Sequence, residues 1–399
     1  MLIPTLFNWI DGLLFVYIGL SILYLFLFAI FSRFKRSYQH PESSKKGRIV
    51  VLFPAYGEDK VIESSALSFL EQNYPRELFE VVIISDHMTE ETNQKLSKIP
   101  VRLFQVTYED SSKAKAMNEA IKRLKDESFD TVVIMDADNI VEPDFLQQIN
   151  NACQSGAMAI QCHRKAKNQD TDIAVLDAAS EEMNNSYFRK GHVRAGLSSA
   201  LSGSGMAFNY KWFCKNVTEL SSAGEDKELE RLLLKQGIYI EYLDDTIVLD
   251  EKIKTSSAFY KQRQRWLATQ AGSLKTAISD LPKALWHKNF DYADKLFQWM
   301  MPPRILLLGF TGIISLLLVI FKWQWSVKWW CLLYLLIFTF FLAIPKEFDN
   351  KRLESAIKKV PLLFFLMFIN LFRLKGMNKK FVHTEHDTEH DAEQNSDKK

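Results

Sequence analysis

Thr131-Val132-Val133-Ile134-Met135-Asp136-Ala137-Asp138 reads as a strand that stops at two acids. Its β-branched, apolar run fits a strand covered on both faces, the pattern of a parallel sheet inside an α/β domain. Ligands of such sheets sit beyond the carboxyl ends of the strands. Two carboxylates one residue apart at that edge offer a seat for a hard divalent cation, which can in turn hold a diphosphate. A solvated acid pair capping the helix after Pro143 is the other reading, and the neighbouring segments decide between them.

Upstream, Ile49 to Phe53 is a second apolar strand, and Pro54-Ala55-Tyr56-Gly57-Glu58 ends it, Pro and Gly disfavouring continuation. Val61 to Leu70 has a helical apolar face, and Phe79 to Asp86 is a strand ending in an acid. Val101 to Val106 is a fourth strand, and a helix from Lys113 to Leu124 leads back to Thr131. Strands alternating with helices predict a parallel, doubly wound sheet. Three tips then converge, carrying Pro54 to Glu58, Asp86, and Asp136 with Asp138. There is no G-x-x-x-x-G-K-[ST] loop. Gly203-Ser204-Gly205 lacks both the third glycine and the early strand–helix position of a dinucleotide fingerprint. Metal and lysine are left to neutralise phosphate.

Downstream, Ala157 to Gln161 fits a strand and Ile173 to Phe188 a helix, while Leu201 to Phe208 joins a small-residue turn to an apolar segment. Gly224-Glu225-Asp226 opens a helix, Lys227 to Lys235, closed by Gly237 just past its end. Two acids in a first turn also suit the helix dipole alone. Strands Ile238 to Tyr242 and Ile247 to Glu251 follow. After Thr255, helical spacing puts Gln262, Arg265 and Trp266 on one face. A donor, a fixed cation and a flat ring suit a phosphate or a sugar. An amphipathic helix beside lipid headgroups has the same composition.

The 399 residues are enough for one large domain or two. A net charge of +2 argues against a general nucleic-acid binder. Four cysteines without C-x-x-C spacing argue against a zinc site or disulfide framework and fit a reducing compartment. Apolar residues concentrate at the two ends. Trp9 to Phe34 is long enough to cross a bilayer, too long for a removable leader, and is followed by Lys35 and Arg36. Those cations place the amino terminus outside and the following domain in the cytoplasm, on a bacterial-type plasma membrane. Leu281 to Met301 fits a helix along the membrane surface. Ile305 to Phe321 and Trp329 to Ile344 fit two spans, with Trp323, Trp325, Trp329 and Trp330 at the outer headgroup level. Val360 to Phe372 is about half a span with basic flanks (Lys358, Lys359, Arg373, Lys375), which favours an in-plane or re-entrant segment. The tail repeats Thr384-Glu385-His386-Asp387 as Thr388-Glu389-His390-Asp391 and reads as solvated chain rather than a metal site. The parse is therefore 1–36 anchor, 47–272 catalytic domain, 273–302 interfacial helices, 303–375 membrane hairpin plus short segment, and 376–399 tail.

Taken in order, these motifs resemble the family-two inverting glycosyltransferases. The match is to the membrane-embedded branch that includes cellulose, chitin, hyaluronan and poly-N-acetylglucosamine synthases, over about Arg48 to Gly272. Pro54 to Glu58 is similar to the P-A-x-N-E opening, Asp86 to the acid ending the next strand, and Asp136-Ala137-Asp138 to the D-x-D motif. Glu225-Asp226 is similar to the E-D pair and Gln262 to Trp266 to Q-x-x-R-W.

The resemblance implies a GT-A fold and a UDP-sugar donor with Mg2+ or Mn2+. It further implies a glycan or lipid-linked acceptor and polysaccharide building at the cytoplasmic face. Pro54, Tyr56, Glu58 and Asp86 would hold the nucleotide, with Lys115 and Asn118 near the diphosphate. Asp138 would ligate metal, and Asp136 the ribose or metal. Asp226 would be the general base. Gln262 and Arg265 would bind diphosphate, and Trp266 with Gly203, Ser204 and Glu225 the acceptor.

Position 57 is Gly where the family usually has Asn, which removes a side chain on the donor side. Lys380 to His386 faintly resembles a cytoplasmic gating loop. The spans are few for a chain that threads its own polymer. Single-sugar transfer, a pore completed by partner subunits, and a non-catalytic nucleotide-binding subunit therefore stay open.

Overall fold

The computed structural model describes residues 2–34, 40–220, 222, 224–346, 348 and 350–371. The polar tail, the segment resembling a gating loop, and the flanking cations Lys35, Arg36, Arg373 and Lys375 lie outside the described residues.

Helix α1 (Leu2–Arg33) precedes an alternating series: β1 (Ile49–Tyr56), α2 (Ile62–Leu70), β2 (Phe79–Asp86), α3 (Glu90–Leu96), β3 (Arg102–Val106), α4 (Lys113–Arg123) and β4 (Thr131–Ile134). β1 pairs in parallel with β2 and β4, and β2 with β3. The register sets Tyr56 level with Asp86. Met135 donates to the Leu52 carbonyl at 3.0 Å, which carries Asp136 to the same edge. Alternate residues feed opposite cores, as strand geometry requires. Val50, Leu52, Val132 and Ile134 pack on one face of the sheet, and Ile49, Val51, Phe53 and Val133 on the other.

The chain continues through β5 (Ile140–Val141), α5 (Phe145–Gln154), β6 (Ala159–Ala166) and α6 (Asp172–Asn184). A π-helical stretch, Asn185–Gly191, and α7 (His192–Arg194) lead to β7 (Met206–Asn209), α8 (Tyr210–Asn216), α9 (Glu225–Lys235) and β8 (Ile240–Asp250). The sheet has eight strands in the order β3-β2-β1-β4-β7-β6-β8-β5. It is mixed rather than wholly parallel, because β7 runs antiparallel to both β4 and β6 and β5 antiparallel to β8. A short apolar run such as Met206–Asn209 carries no direction of its own. β8 is one strand where two were expected. Its register jumps from Cys162↔Leu243 to His163↔Ile247, so polar Asp244-Asp245-Thr246 is absorbed in a bulge.

Beyond β8 come α10 (Ser256–Ala277), α11 (Leu281–Trp286), α12 (Phe290–Met300), α13 (Arg304–Phe321), α14 (Trp323–Ala343), α15 (Asn350–Ile357) and α16 (Val360–Leu371). Within Leu281 to Met301, expected to lie along a membrane surface, Leu285, Trp286 and Phe290 are exposed while one face of α12 packs on the domain. Tyr292, Ala293, Leu296 and Trp299 of α12 are buried in the core beneath α9, and buried Lys295 pairs with Glu230 at 3.0 Å. The apolar face is spent on the domain, at about 1.5–3 kcal/mol per buried large side chain.

Leu6–Arg33, Arg304–Phe321 and Trp323–Ala343 are long and apolar enough to cross a membrane, and α16 is a shorter apolar helix. α14 begins at Trp323, six residues before the expected start, with Lys322 alone separating it from α13. Trp329 packs between helices instead of facing outward. It is fully buried, its indole N–H donating to Asp11 Oδ1 at 2.9 Å on α1, where Lys328 also pairs with Asp11. An acid facing α14 from the neighbouring helix draws that ring inward.

Candidate active site

One cavity of about 960 Å3 opens at the carboxyl edge of the sheet and runs towards the apolar helices. Pro54, Tyr56, Glu58, Asp86, Asp136, Asp138, Gly203, Glu225, Asp226, Gln262, Arg265 and Trp266 all line it. Ser204 does not; it is fully buried beneath Gly203.

Lys115 and Asn118 are also absent from the cavity wall. Ser112 caps α4, its Oγ accepting from Lys115 N at 3.2 Å, so the helix starts at Lys113. Two residues along a helix turn a side chain through about 200°. Lys115 therefore points away, its Nζ donating to the Asp110 carbonyl at 2.5 Å, and Lys113 takes the cavity side.

Gly57 sits in the turn after β1 at φ +61°, its N–H donating to the Asp86 carbonyl at 3.0 Å. Gly, and next to it Asn, enters this left-handed region readily. The Gly-for-Asn departure therefore keeps the backbone and loses only a side chain.

Three acids meet where the strand tips converge. Asp136, Asp138 and Asp250 bring carboxylate oxygens within 4.8 Å of one another. Asp138 is buried and oriented, accepting from Glu251 N at 2.9 Å and from Asn139 Nδ2 at 3.1 Å. An all-oxygen donor set fits a hard divalent ion such as Mg2+ or Mn2+. Cations surround the group. Lys113 pairs with Asp136 and also donates to the Gly203 carbonyl at 2.8 Å. Arg164 pairs with Asp250, and Lys252 reaches Asp250 at 2.6 Å. Burial pushes the Asp136 carboxyl up, but Lys113 and Arg164 outweigh it and hold it at about 2. Asp250 is likewise held down by Arg164 and Lys252 against the cost of burial.

Lys113, Arg164 and Asp250 were not among the residues expected from sequence. Asp250 carried a usable signal: Ile247-Val248-Leu249-Asp250 has the same apolar-run-then-acid form as β4. Arg164 had none, since only the β6–β8 pairing brings it to the acids.

Beside this cluster, Glu225 and Asp226 open α9. Glu225 is buried 3.8 Å from Lys113 Nζ, and burial pushes its carboxyl up to about 7 against the pull of that lysine. Gly224 fixes this helix start close against α10. A Cβ there would lie 2.0 Å from Thr269 Cγ2. On α10, capped by Thr255, whose Oγ1 accepts from Ala258 N, Gln262, Arg265 and Trp266 share the cavity face as their spacing predicts. Trp266 is 39% exposed, with the Arg263 guanidinium 4.2 Å from its ring centre. A nucleotide diphosphate would meet cations and oxygen ligands at the sheet edge. An acceptor would meet a carboxylate and an aromatic ring in the same cavity.

Residues 47–269 match the family model described as glycosyltransferase-like family 2. Poly-beta-1,6-N-acetyl-D-glucosamine synthase of Staphylococcus aureus is 23% identical over 264 residues, 63% of this chain. The chain spans about 60% of that relative's length. Among solved structures, the mannosyltransferase PcManGT from Pyrobaculum calidifontis, in complex with GDP-Man and Mn2+, aligns with a TM-score of 0.53 at 17% identity. The alignment covers 83% of this chain and 97% of that one, a likeness of fold.

Proposed function

Because the chain belongs to glycosyltransferase-like family 2, we propose that it moves a sugar from a UDP-sugar to a growing glycan at the cytoplasmic face of a membrane, with inversion at the anomeric carbon. The observation that carries this is the convergence in one cavity of the Asp136/Asp138/Asp250 oxygens, the Glu225-Asp226 pair and the Gln262/Arg265/Trp266 helix face.

Asp136, Asp138 and Asp250 would hold the divalent ion, which when bound neutralises charge on the leaving diphosphate. Asp86 and Tyr56, level with each other at the tips of β2 and β1, take the nucleoside. Lys113 and Arg265 add fixed positive charge on the diphosphate side, where negative charge grows as the glycosidic bond breaks. Trp266 offers a flat face to the acceptor's terminal sugar. Asp226 accepts the proton of the attacking hydroxyl, and one base with one displacement inverts the carbon. Glu225, beside Lys113, sets the position of its neighbour rather than taking the proton itself. The reading retains the anchor, catalytic domain and hairpin of the sequence parse, with α12 packed on the domain.

The test is a donor screen on the full chain in membranes, recording nucleotide release from each UDP-sugar and from GDP-mannose, with Mn2+, Mg2+ or EDTA. One UDP-sugar should turn over, and EDTA should abolish its turnover. Metal-indifferent turnover, or none with any donor, overturns the reading. A second reading, transfer of one sugar to a lipid-linked acceptor, draws on the described residues holding three helices long enough to span. Product sizing separates the two.

A further inference from the structure

Where the cavity leaves the sheet edge its walls change. Past α10 it is lined by Ile305 and Leu308 of α13, Ile337 and Phe340 of α14, and Leu363 and Met367 of α16. α13 and α14 are two of the three helices apolar and long enough to span. The donor site and this apolar sleeve are one continuous space.

At the junction stands a cation with no ion-pair partner among the described residues. Arg304 opens α13 and lines the cavity. Its Nη2 donates to Ser180 O and Oγ, both at 3.0 Å, and to Asn184 Oδ1 at 2.8 Å. Its Nη1 is buried with no hydrogen-bond partner among the described residues. The neighbouring cations are each matched by an acid. Arg263 pairs with Asp177, Arg189 with Glu181 at 2.7 Å, and Arg164 and Lys252 with Asp250. Among the described residues Arg304 hydrogen-bonds only neutral oxygens and faces the Tyr187 ring, 5.5 Å away, while Glu181, the acid whose charge reaches it, is already paired with Arg189. A cation withdrawn from water among neutral groups is costly, and a guanidinium with free N–H groups matches a phosphate. A free anion would gain nothing from the apolar walls beyond. An amphiphile uses both.

Resting on the glycosyl-transfer reading, we propose that the acceptor is a lipid whose phosphate joins a hydrocarbon tail to a hydroxyl-bearing headgroup. The phosphate sits on Arg304, the tail lies between α13, α14 and α16, and the headgroup hydroxyl faces Asp226. In the transfer, the bond from the donor's anomeric carbon to the diphosphate oxygen breaks and its electron pair leaves with the nucleoside diphosphate. The headgroup oxygen bonds to that carbon, and its proton passes to Asp226.

The test uses the full chain in phosphatidylcholine nanodiscs with radiolabelled hexadecyl phosphate, which has the tail and the phosphate but no headgroup. Saturable binding is expected, weakened about 30-fold or more by Arg304→Met and largely kept by Arg304→Lys. Ile337→Trp, which narrows the sleeve and leaves the Arg304 hydrogen bonds alone, should weaken it too. Inorganic phosphate and hexadecanol should fail to displace the probe. Equal binding by Arg304→Met and wild type, no saturable binding, or displacement by inorganic phosphate (a free-anion site) overturns the proposal. Nucleotide release from the donor is recorded in the same discs. Release without probe binding removes this inference alone. Binding without release from any donor removes the glycosyl-transfer reading and leaves the lipid site standing.

Discussion

The two halves of the sheet reach the same edge by different means. In β3-β2-β1-β4 every strand runs the same way, and its acids, Asp86, Asp136 and Asp138, stand where apolar runs end. In β7-β6-β8-β5 directions are mixed, with β6 and β8 parallel to each other between antiparallel β7 and β5, and a bulge separates the start of β8 from Asp250 at its end. The first half supplies two carboxylates from one short loop. The second supplies the third carboxylate together with Arg164 and Lys252. An ion seat built only from the parallel half would be an acid pair at a strand tip. The mixed half adds a third carboxylate and two cations to a group that could hold an ion, and Lys113 of α4 adds another cation.

The largest effect is expected at Asp226, which belongs to neither half of the sheet and opens α9 next to Glu225. Asp226→Asn should lower kcat by about 10²- to 10⁴-fold, the range for a lost general base, while donor binding is kept. Isothermal titration with UDP and Mn2+ beside a turnover assay separates the two effects. Unchanged turnover would recast the chain as a nucleotide-binding subunit without chemistry. Next comes the placement of that residue. Gly224→Ala forces a methyl against Thr269 Cγ2, so either the Thr269 side chain turns or the start of α9 shifts, and the prediction is the shift. A displacement near 1 Å costs about 10²-fold in rate. Adding Thr269→Ala should recover much of it. Failure of the double variant to recover would locate the damage elsewhere than this contact.

The direct contest between the halves is Asp250→Asn against Asp138→Asn. If the seat is shared, each should weaken Mn2+ by at least the 10- to 100-fold typical of a lost supporting partner, read as the Mn2+ concentration for half-maximal turnover. An Asp250 variant with unchanged Mn2+ dependence would reduce the mixed half to scaffolding.

The same contrast explains what could be read without coordinates. Phe79–Asp86 was legible to the residue, because a strand covered on both faces is a continuous apolar run and its end is marked by the first acid. The Gln262/Arg265/Trp266 face was legible because helical periodicity is local. Lys115 was named instead of Lys113 because the family resemblance supplied it, although the helix start at Lys113 was already legible and sets the two lysines about 200° apart. Arg164 depended on strand pairing between segments far apart in the chain, and Trp329 on an acid in another helix. The amphipathic pattern of α12 was real, but periodicity does not say whether the apolar face meets lipid or, as here, Glu230's helix and the sheet core.

The smallest expected effect tests the mixed half for its own stability. At the β8 bulge, His163 Nδ1 lies 2.9 Å from the Asp244 carbonyl and its Nε2 3.4 Å from Glu182, while Lys190 reaches Asp244 at 2.5 Å. Burial alone would push the ring's pKa down. Hydrogen bonds to Asp244 and Glu182 outweigh it and hold the ring at about 9, against 6.5 when unperturbed. Asp244, held at about 2, stays ionised throughout that window. A raised folded pKa contributes stability that is fully present below the unfolded value and is lost as pH rises through the folded one. The contribution is on the order of 2 kcal/mol, present below about pH 6.5 and gone above about pH 9. In thermal melts of the detergent-solubilised chain, wild-type Tm should therefore fall by about 5 °C more than that of His163→Gln between pH 6.5 and 9.5. Parallel pH profiles for the two proteins would mean that the bulge is held by Lys190 and Asp244 alone, and that the charge on the imidazole does nothing for the strand that carries Asp250.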